Sequence, residues 1–172
     1  MRALASIVAV TLTLVAFAAL PDDSTFLKTL AEGGRVEVEA GKLAANKGVS
    51  NDVRKFGLMM AEDHGAANQK IATVAKAKGL ALPTAFSAEK TEMLDRLRKQ
   101  EGVRFDQEYL AHMVEGHEKT LELLKSEISS GDSNDTKALA QELLPTVQAH
   151  LREAYRLTGE HEKAAALPSA GH

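Results

Sequence analysis

The sequence predicts an all-α protein built as a four-helix bundle. Ala, Leu, Glu and Lys are plentiful, whereas only 4% of the 172 residues are aromatic, and this composition favours helix over sheet. Apolar residues recur every three or four positions along four long segments, and no segment alternates with period two over the length of a strand. Cysteine is absent, which excludes disulfides, thiolate metal sites and a cysteine nucleophile.

The first segment of the chain has the pattern of an export signal. Arg2 is followed by an apolar run from Ala3 to Val15 and by Ala16-Phe17-Ala18, which fits the small-x-small cleavage pattern. We expect residues 1–18 to be a signal peptide cut near Ala18, and the mature protein to be secreted into a bacterial periplasm. The alternative is an uncleaved membrane anchor, since about 18 apolar residues are borderline for a span. No later segment resembles a membrane span.

The first two long helices are predicted from Ser24 to about Asn46 and from Ser50 to about Lys78. Ser50 can cap the second helix by accepting a hydrogen bond from a free N–H group of its first turn. Gly79 ends that helix. Gly33-Gly34 interrupts the first helix, and such a pair predicts either a kink or a close approach of another helix.

A long connection and a second helix pair follow. The connection contains Pro83 and a short helix from Ser87 to about Lys99. The fourth helix is predicted from about Val103 to Ser129, and the last from a cap at Asp132 or Ser133 to about Thr158, with a kink or break at Pro145. Short loops near 47–49 and 130–133 predict two antiparallel pairs joined by a ferritin-like crossover over residues 23–158. Residues 159–172 are predicted to form a flexible tail.

Charge argues against nucleic acid as a partner. The 21 Lys and Arg residues and 24 Asp and Glu residues give a formal net charge of −3, whereas phosphate binding needs a basic surface. A protein partner or a homo-oligomer remains open.

The candidate site consists of four polar residues on the otherwise apolar inner faces of the long helices: Glu37, His64, His117 and His150. A buried carboxylate is costly unless it is paired or binds a cation, and neutral imidazole is a common metal ligand. Counted from the loops at 1.5 Å per residue, His117 and His150 differ by about 4.5 Å in depth, and Glu37 and His64 by about 7.5 Å. The alternative is a metal-free set of hydrogen-bonded core residues.

Neighbouring residues extend this set. Asp63 could pair with a core histidine and fix its tautomer. Met60 and His64 are four residues apart, as are Met113 and His117, and thioether with imidazole suits copper. The simpler interpretation is that both methionines fill the core.

Catalytic motifs are missing from the sequence. No histidine follows a glutamate at the Glu-x-x-His spacing that carboxylate-bridged di-iron bundles need. No nucleophile–base set, phosphate loop or H-E-x-x-H motif occurs. The sequence therefore favours a binding protein over an enzyme.

Several segments together resemble a bacterial family called "domain of unknown function 4142". They are Ala31–Ala44 (AEGGRVEVEAGKLA), Val53–His64 (VRKFGLMMAEDH), Phe105–Tyr109 (FDQEY) with His117, and Leu144–Leu151 (LPTVQAHL). The resemblance covers about residues 23–158 and implies a secreted, ferritin-like protein, of a kind often labelled a predicted outer membrane protein. It places the family's recurrent polar positions at Glu37, Asp63, His64, His117 and His150, and it implies no reaction.

Two functional hypotheses follow. The first is a secreted bundle whose polar core site binds a transition metal such as Cu, Zn, Fe or Mn, in storage, buffering or a stress response. The second is a metal-free structural or protein-interaction module of the cell envelope.

Overall fold

The computed structural model of the chain describes residues 22–168, so the predicted signal peptide lies outside the described residues. Within this range the chain forms six helices: α1 Asp23–Lys47, α2 Asn51–Ala77, α3 Ala88–Lys99, α4 Gly102–Ser130, α5 Asn134–Thr158 and α6 His161–Ala166. The five predicted helices agree with α1 to α5 to within one or two residues at most ends. None of the six has both the length and the apolar character required to traverse a bilayer.

Side-chain caps explain where four of the helices begin. Asp22 accepts a hydrogen bond from Thr25 N, and Ser50, Ser87 and Ser133 accept one from the first turns of α2, α3 and α5. Each bond satisfies a backbone N–H group that has no partner inside its helix. The sequence predicted the cap at Ser50 and the start of the short helix at Ser87, and of its two candidate caps for α5 the structure selects Ser133.

Two apolar clusters show how the helices run. We call them the lower and the upper cluster. The lower cluster has its core in Phe26, Leu27, Leu30, Ala31, Ile71, Ala75, Leu121, Leu124, Leu139, Ala140, Leu143, Val147, Leu151 and Tyr155. The upper cluster has its core in Val36, Ala40, Ala44, Val53, Phe56, Met60, Leu94, Leu97, Phe105, Tyr109, Leu110, Met113 and Ala154.

The order of these residues along each helix gives the topology. Helices α1 and α5 run from the lower cluster to the upper one, whereas α2 and α4 run in the opposite direction. The pairs α1–α2 and α4–α5 are therefore antiparallel, and the connection from α2 to α4 returns along the whole bundle. This confirms the all-α four-helix bundle with a long crossover that carries a short helix.

The crossover is fastened to α1. The Arg35 guanidinium donates to the carbonyl oxygens of Thr84 and Ala85 and lies 5.0 Å from the centre of the Phe86 ring. Near the other end of α1, Lys47 donates to the carbonyl oxygen of Arg98. These contacts hold α3 beside α1 and α4, where Leu94 and Leu97 complete the upper cluster.

Helices α1 and α2 touch backbone to backbone at Gly41 and Gly57. A Cβ atom placed on Gly41 would lie 2.6 Å from the carbonyl oxygen of Gly57, and one on Gly57 would lie 2.7 Å from the Cβ of Ala44. Neither position can hold a larger residue without moving a helix. Of the two alternatives for Gly33-Gly34, close approach holds at Gly34, where a Cβ would collide with the Asn68 side chain.

Two features near the C-terminus, the course of α5 at Pro145 and a short helix within the predicted tail, add to what the sequence predicted. Helix α5 continues through Pro145, so the alternative of a break is wrong. Within the predicted tail, residues 161–166 form α6, and Ala164 and Leu167 pack against the lower cluster. Lys163 lies 5.2 Å from the centre of the Tyr155 ring. The tail prediction did not include this helix, because six residues give too short a pattern to show periodicity.

Candidate metal centre

Three of the four predicted site residues meet at one level of the bundle. His64 on α2, His117 on α4 and His150 on α5 lie between the upper and lower clusters. His117 and His150 are almost completely buried, whereas His64 is half-buried. The Nε2 atoms of His64 and His117 are 3.4 Å apart, and His117 Nε2 is 3.4 Å from His150 Nδ1. One ring nitrogen from each histidine lies within 4.8 Å of the other two.

The tautomer of His117 follows from its backbone contact. Its Nδ1 atom is 2.8 Å from the carbonyl oxygen of Met113, one turn earlier on α4. A carbonyl oxygen only accepts hydrogen bonds, so Nδ1 carries the proton and donates it. In the neutral ring, Nε2 then presents a lone pair toward the other two histidines.

The tautomer of His150 is set by Asp63. The Nε2 atom of His150 is 2.8 Å from Oδ2 of Asp63, so Nε2 donates to the carboxylate and Nδ1 keeps its lone pair. Two lone pairs, on His117 Nε2 and His150 Nδ1, thus face each other at 3.4 Å. They cannot hydrogen-bond to each other in these tautomers, but both can bind the same cation.

Two of the three nitrogen–nitrogen distances match those around a tetrahedral ion, and the third is at most 4.8 Å. Imidazole nitrogens bonded at about 2.0–2.1 Å around a tetrahedral centre lie about 3.3–3.4 Å apart. Two of the distances here are 3.4 Å. The Asp63–His150 hydrogen bond has the arrangement that commonly orients a metal-binding imidazole and increases its basicity. Asp63 is thus hydrogen-bonded to a core histidine, and its role beside a metal stays a prediction.

Burial keeps all three imidazoles neutral. Loss of solvation lowers the pKa of His64 to about 3, with a further contribution from His150, and it lowers the pKa of His117 well below its usual value. It also lowers the pKa of His150, although Asp63 opposes the shift. Neutral imidazole is the form that binds metals, so little proton competition is expected near pH 7.

Glu37 lies at the same level but on the other side of His117. Its Oε1 is 3.9 Å from His117 Nδ1, the nitrogen that faces away from the other two histidines. Its Oε2 is buried and has no hydrogen-bond partner among residues 22–168. Burial raises the pKa of Glu37 to about 8. The structure thus brings Glu37 to the site without placing it among the three converging nitrogens.

The two methionines belong to the packed core. Met60 and Met113 are completely buried in the upper cluster, as expected for residues that fill space. Met113 touches the site through its backbone carbonyl, which accepts from His117.

A cavity of about 230 Å³ adjoins the histidines. His64, His150, Asp63 and Glu37 line it, together with residues that the sequence analysis did not select, chiefly Asn68, Lys90 and His112. Burial at this wall lowers the pKa of His112 to about 4. Asn68 lies in the same helix as His64, one turn further on, and that spacing was the only signal that could have identified it.

Comparisons with known proteins agree on a helical family without an assigned reaction. The sequence profile of a family described as "Domain of unknown function (DUF4142)" matches residues 13–157. None of the curated proteins matches the sequence.

Three crystal structures resemble the fold. A DUF305 fragment from Deinococcus radiodurans gives a TM-score of 0.70 at 12% identity, covering 81% of this chain and 97% of that one. A DUF305 protein from Streptomyces coelicolor, described as secreted, gives 0.66 at 15% identity, covering 86% and 93%. A hypothetical protein from Methanococcus jannaschii gives 0.64 at 14% identity, covering 92% and 90%. At these identities the likeness shows the fold alone.

Proposed function

Because the chain belongs to the DUF4142 family, whose description assigns no reaction, we propose a function from the site itself: the protein binds one transition-metal ion through His64, His117 and His150. Residues 1–18 would direct it out of the cytoplasm, and its role would be metal buffering or storage in the cell envelope. The export-signal pattern of residues 1–18 supports this location.

The facing lone pairs of His117 Nε2 and His150 Nδ1 carry the proposal. Their protons are committed to Met113 O and Asp63 Oδ2, so a bound cation is the natural partner for both. In a metal-free core, His64 Nε2 can carry a proton and donate it to His117 Nε2 at 3.4 Å, but the lone pair of His150 Nδ1 then still faces the lone-pair side of His117. A cation bound to all three nitrogens satisfies both lone pairs, and this supports the metal site over the metal-free core.

The three nitrogen donors limit which metal ions the site can bind. Three imidazole nitrogens suit Zn²⁺, copper and iron, whereas Mg²⁺ and Ca²⁺ require oxygen ligands. The two separations of 3.4 Å match a tetrahedral site, which favours Zn²⁺, an ion without a preference for square-planar geometry. Copper is the competing ion, since Cu²⁺ binds nitrogen sites more tightly in general.

Binding rather than catalysis is the better-supported role. The closest carboxylates are both placed to assist histidines: Asp63 is hydrogen-bonded to His150, and Glu37 lies at the Nδ1 edge of His117. Neither bridges two ligand positions as the glutamates of di-iron bundles do.

Metal titration of the purified, metal-stripped protein tests the proposal. Isothermal titration with Zn²⁺, Cu²⁺, Fe²⁺, Mn²⁺ and Ni²⁺ should give one tightly bound Zn²⁺ or copper ion per chain. His64→Ala and His117→Gln should each lose that binding. His161→Ala is the matched control, because His161 is an exposed histidine on α6.

Circular dichroism on each variant separates loss of binding from loss of folding. Absence of stoichiometric binding by all five metals, or equal binding by wild type and the two site variants, would overturn the proposal. In that case the metal-free module is the better account, and the site variants would change only stability.

A further inference from the structure

The cavity beside the histidines has the features of a small-molecule pocket. It encloses about 230 Å³ between α1, α2, α4 and α5, and much of its wall is apolar, with Leu30, Leu124 and Leu143 among the contributors. A dry cavity of about 150 Å³ is enough to hold benzene, so this one has room for a substituted single ring.

Two residues that line the cavity each have a buried oxygen without a hydrogen-bond partner. Glu37 Oε2 and Asn68 Oδ1 have no hydrogen-bond partner within residues 22–168, and Glu37 is only 7% exposed. A buried polar atom without a partner is unfavourable, so native structures rarely keep one without a reason. A ligand that donates an N–H or O–H group would satisfy these oxygens.

Glycines keep the space open. Gly33, Gly34 and Gly116 all line the cavity. A Cβ on Gly33 would meet nothing within 4 Å, so alanine would fit there and would favour the helix. A Cβ on Gly116 would lie 3.0 Å from Glu37 Oε1, so glycine at 116 also leaves room for the glutamate.

Two of the three histidines border this cavity. His64 and His150 line it, whereas His117 is not part of its wall. An ion bound by three ligands keeps a fourth position free, as in catalytic zinc sites. The cavity is the space beside the site into which that position can extend.

We infer that the cavity binds a small, neutral, single-ring aromatic molecule that has a nitrogen or oxygen lone pair at one edge and an N–H or O–H donor at another. The lone pair fills the free metal position, the donor bonds to Glu37 or Asn68, and the ring packs on the leucines. This inference rests on the proposed metal site.

Cobalt substitution tests the metal site and the pocket separately. Co²⁺ in a tetrahedral nitrogen site absorbs visible light, and its bands change when a fourth ligand is exchanged. The protein loaded with Co²⁺ is titrated with 4-methylimidazole, which has an N–H donor, and with 1-methylimidazole, which has none.

The expected result is a saturable spectral change with both ligands and about tenfold tighter binding of 4-methylimidazole, since one buried hydrogen bond is at stake. Glu37→Met with Asn68→Leu should remove most of this preference, because neither new side chain offers an oxygen that accepts a hydrogen bond. If the cobalt spectrum appears but neither ligand changes it, the pocket proposal is wrong and the metal site stands. If no cobalt spectrum appears, both fail.

Filling the cavity gives a second test with a matched control. Gly33→Leu should weaken binding of both ligands at least tenfold while keeping the cobalt spectrum. Gly65→Leu should leave ligand binding unchanged, because a Cβ on Gly65 also meets nothing within 4 Å and Gly65 does not line the cavity. Equal ligand binding by both variants and wild type would contradict the pocket.

Discussion

Helix α1 uses glycine in two opposite ways along its length. At Gly41 the backbone of α2 is so close that an added Cβ would lie 2.6 Å from Gly57 O, whereas at Gly33 an added Cβ would meet nothing within 4 Å. The first glycine lets two helices touch, and the second borders a cavity beside the histidines. The same residue type is therefore structural at one end of the helix and associated with the candidate site at the other.

Acidification should change the free energy of unfolding more than any of the substitutions below, and it should act through the three buried histidines. In the unfolded chain a histidine has a pKa near 6.5, whereas in the folded chain burial lowers the pKa of His64 to about 3 and also lowers those of His117 and His150. The unfolded state thus binds more protons below pH 6.5, so stability is lost as pH falls from there toward the folded pKa values. Each histidine contributes up to about 1.4 kcal/mol per pH unit.

The contribution of Glu37 to the pH dependence of stability has the opposite sign. Because burial raises its pKa from 4.5 to about 8, its contribution is fully present below pH 4.5 and is lost as pH rises toward 8. Three histidines outweigh one glutamate, so the free energy of unfolding of the metal-free protein, measured with urea, should be lower at pH 5 than at pH 7. Equal stability at the two pH values would contradict the buried neutral histidines.

Gly57→Ala tests the close contact between α1 and α2 at Gly41 and Gly57. The new methyl group would overlap the α1 backbone and Ala44, and overpacking of this kind costs about 2 kcal/mol. Urea unfolding should show this loss at pH 7 and at pH 5 alike, because no titrating group is involved. Gly65→Ala is the control, with open space at its Cβ. A variant as stable as wild type would mean that the helices are not in contact at Gly57.

Asp63→Asn tests the three-histidine site without changing a proposed metal ligand. The amide no longer provides a carboxylate for His150 Nε2, and loss of such a partner lowers metal affinity by about 10- to 100-fold. Competition titration with Zn²⁺ measures the change, and Glu62→Gln, at the exposed neighbouring residue, is the control. Unchanged affinity in Asp63→Asn would show that Asp63 does not orient a metal ligand.

Gly33→Ala should change the free energy of unfolding least, and in the opposite direction to Gly57→Ala. Alanine fits in the open space and favours the helix, so the free energy of unfolding should rise by about 0.5–1 kcal/mol. Urea unfolding beside Gly57→Ala gives the comparison directly. Destabilisation of both variants would remove the distinction between the two glycines.

The bundle could be predicted from the sequence because its signals are local and repeated. The periodic apolar stripes and the serine caps predicted the bounds of α1 to α5 closely, and the short loops predicted that neighbouring helices form antiparallel pairs. Helix α6 was missed because its position depends on packing against the lower cluster rather than on its own six residues.

The site was only partly predictable. Depth counting brought His117 and His150 together, and their ring nitrogens are 3.4 Å apart. The same counting gave a poorer match of about 7.5 Å between His64 and Glu37. In the structure His64 faces His117, and Glu37 lies at the other edge of that ring. The direction of a side chain, the tautomer that it adopts and the cavity beside it depend on how helices pack, and spacing along one chain does not encode these properties.

X-ray absorption spectroscopy of the Zn²⁺-loaded protein identifies the atoms bound to the ion. Three imidazole nitrogens are expected at about 2.0–2.1 Å from the ion, with one further light-atom ligand. In His117→Gln this imidazole signature should be lost or reduced. A wild-type spectrum with oxygen ligands alone, or one unchanged by His117→Gln, would contradict a metal centre made of His64, His117 and His150.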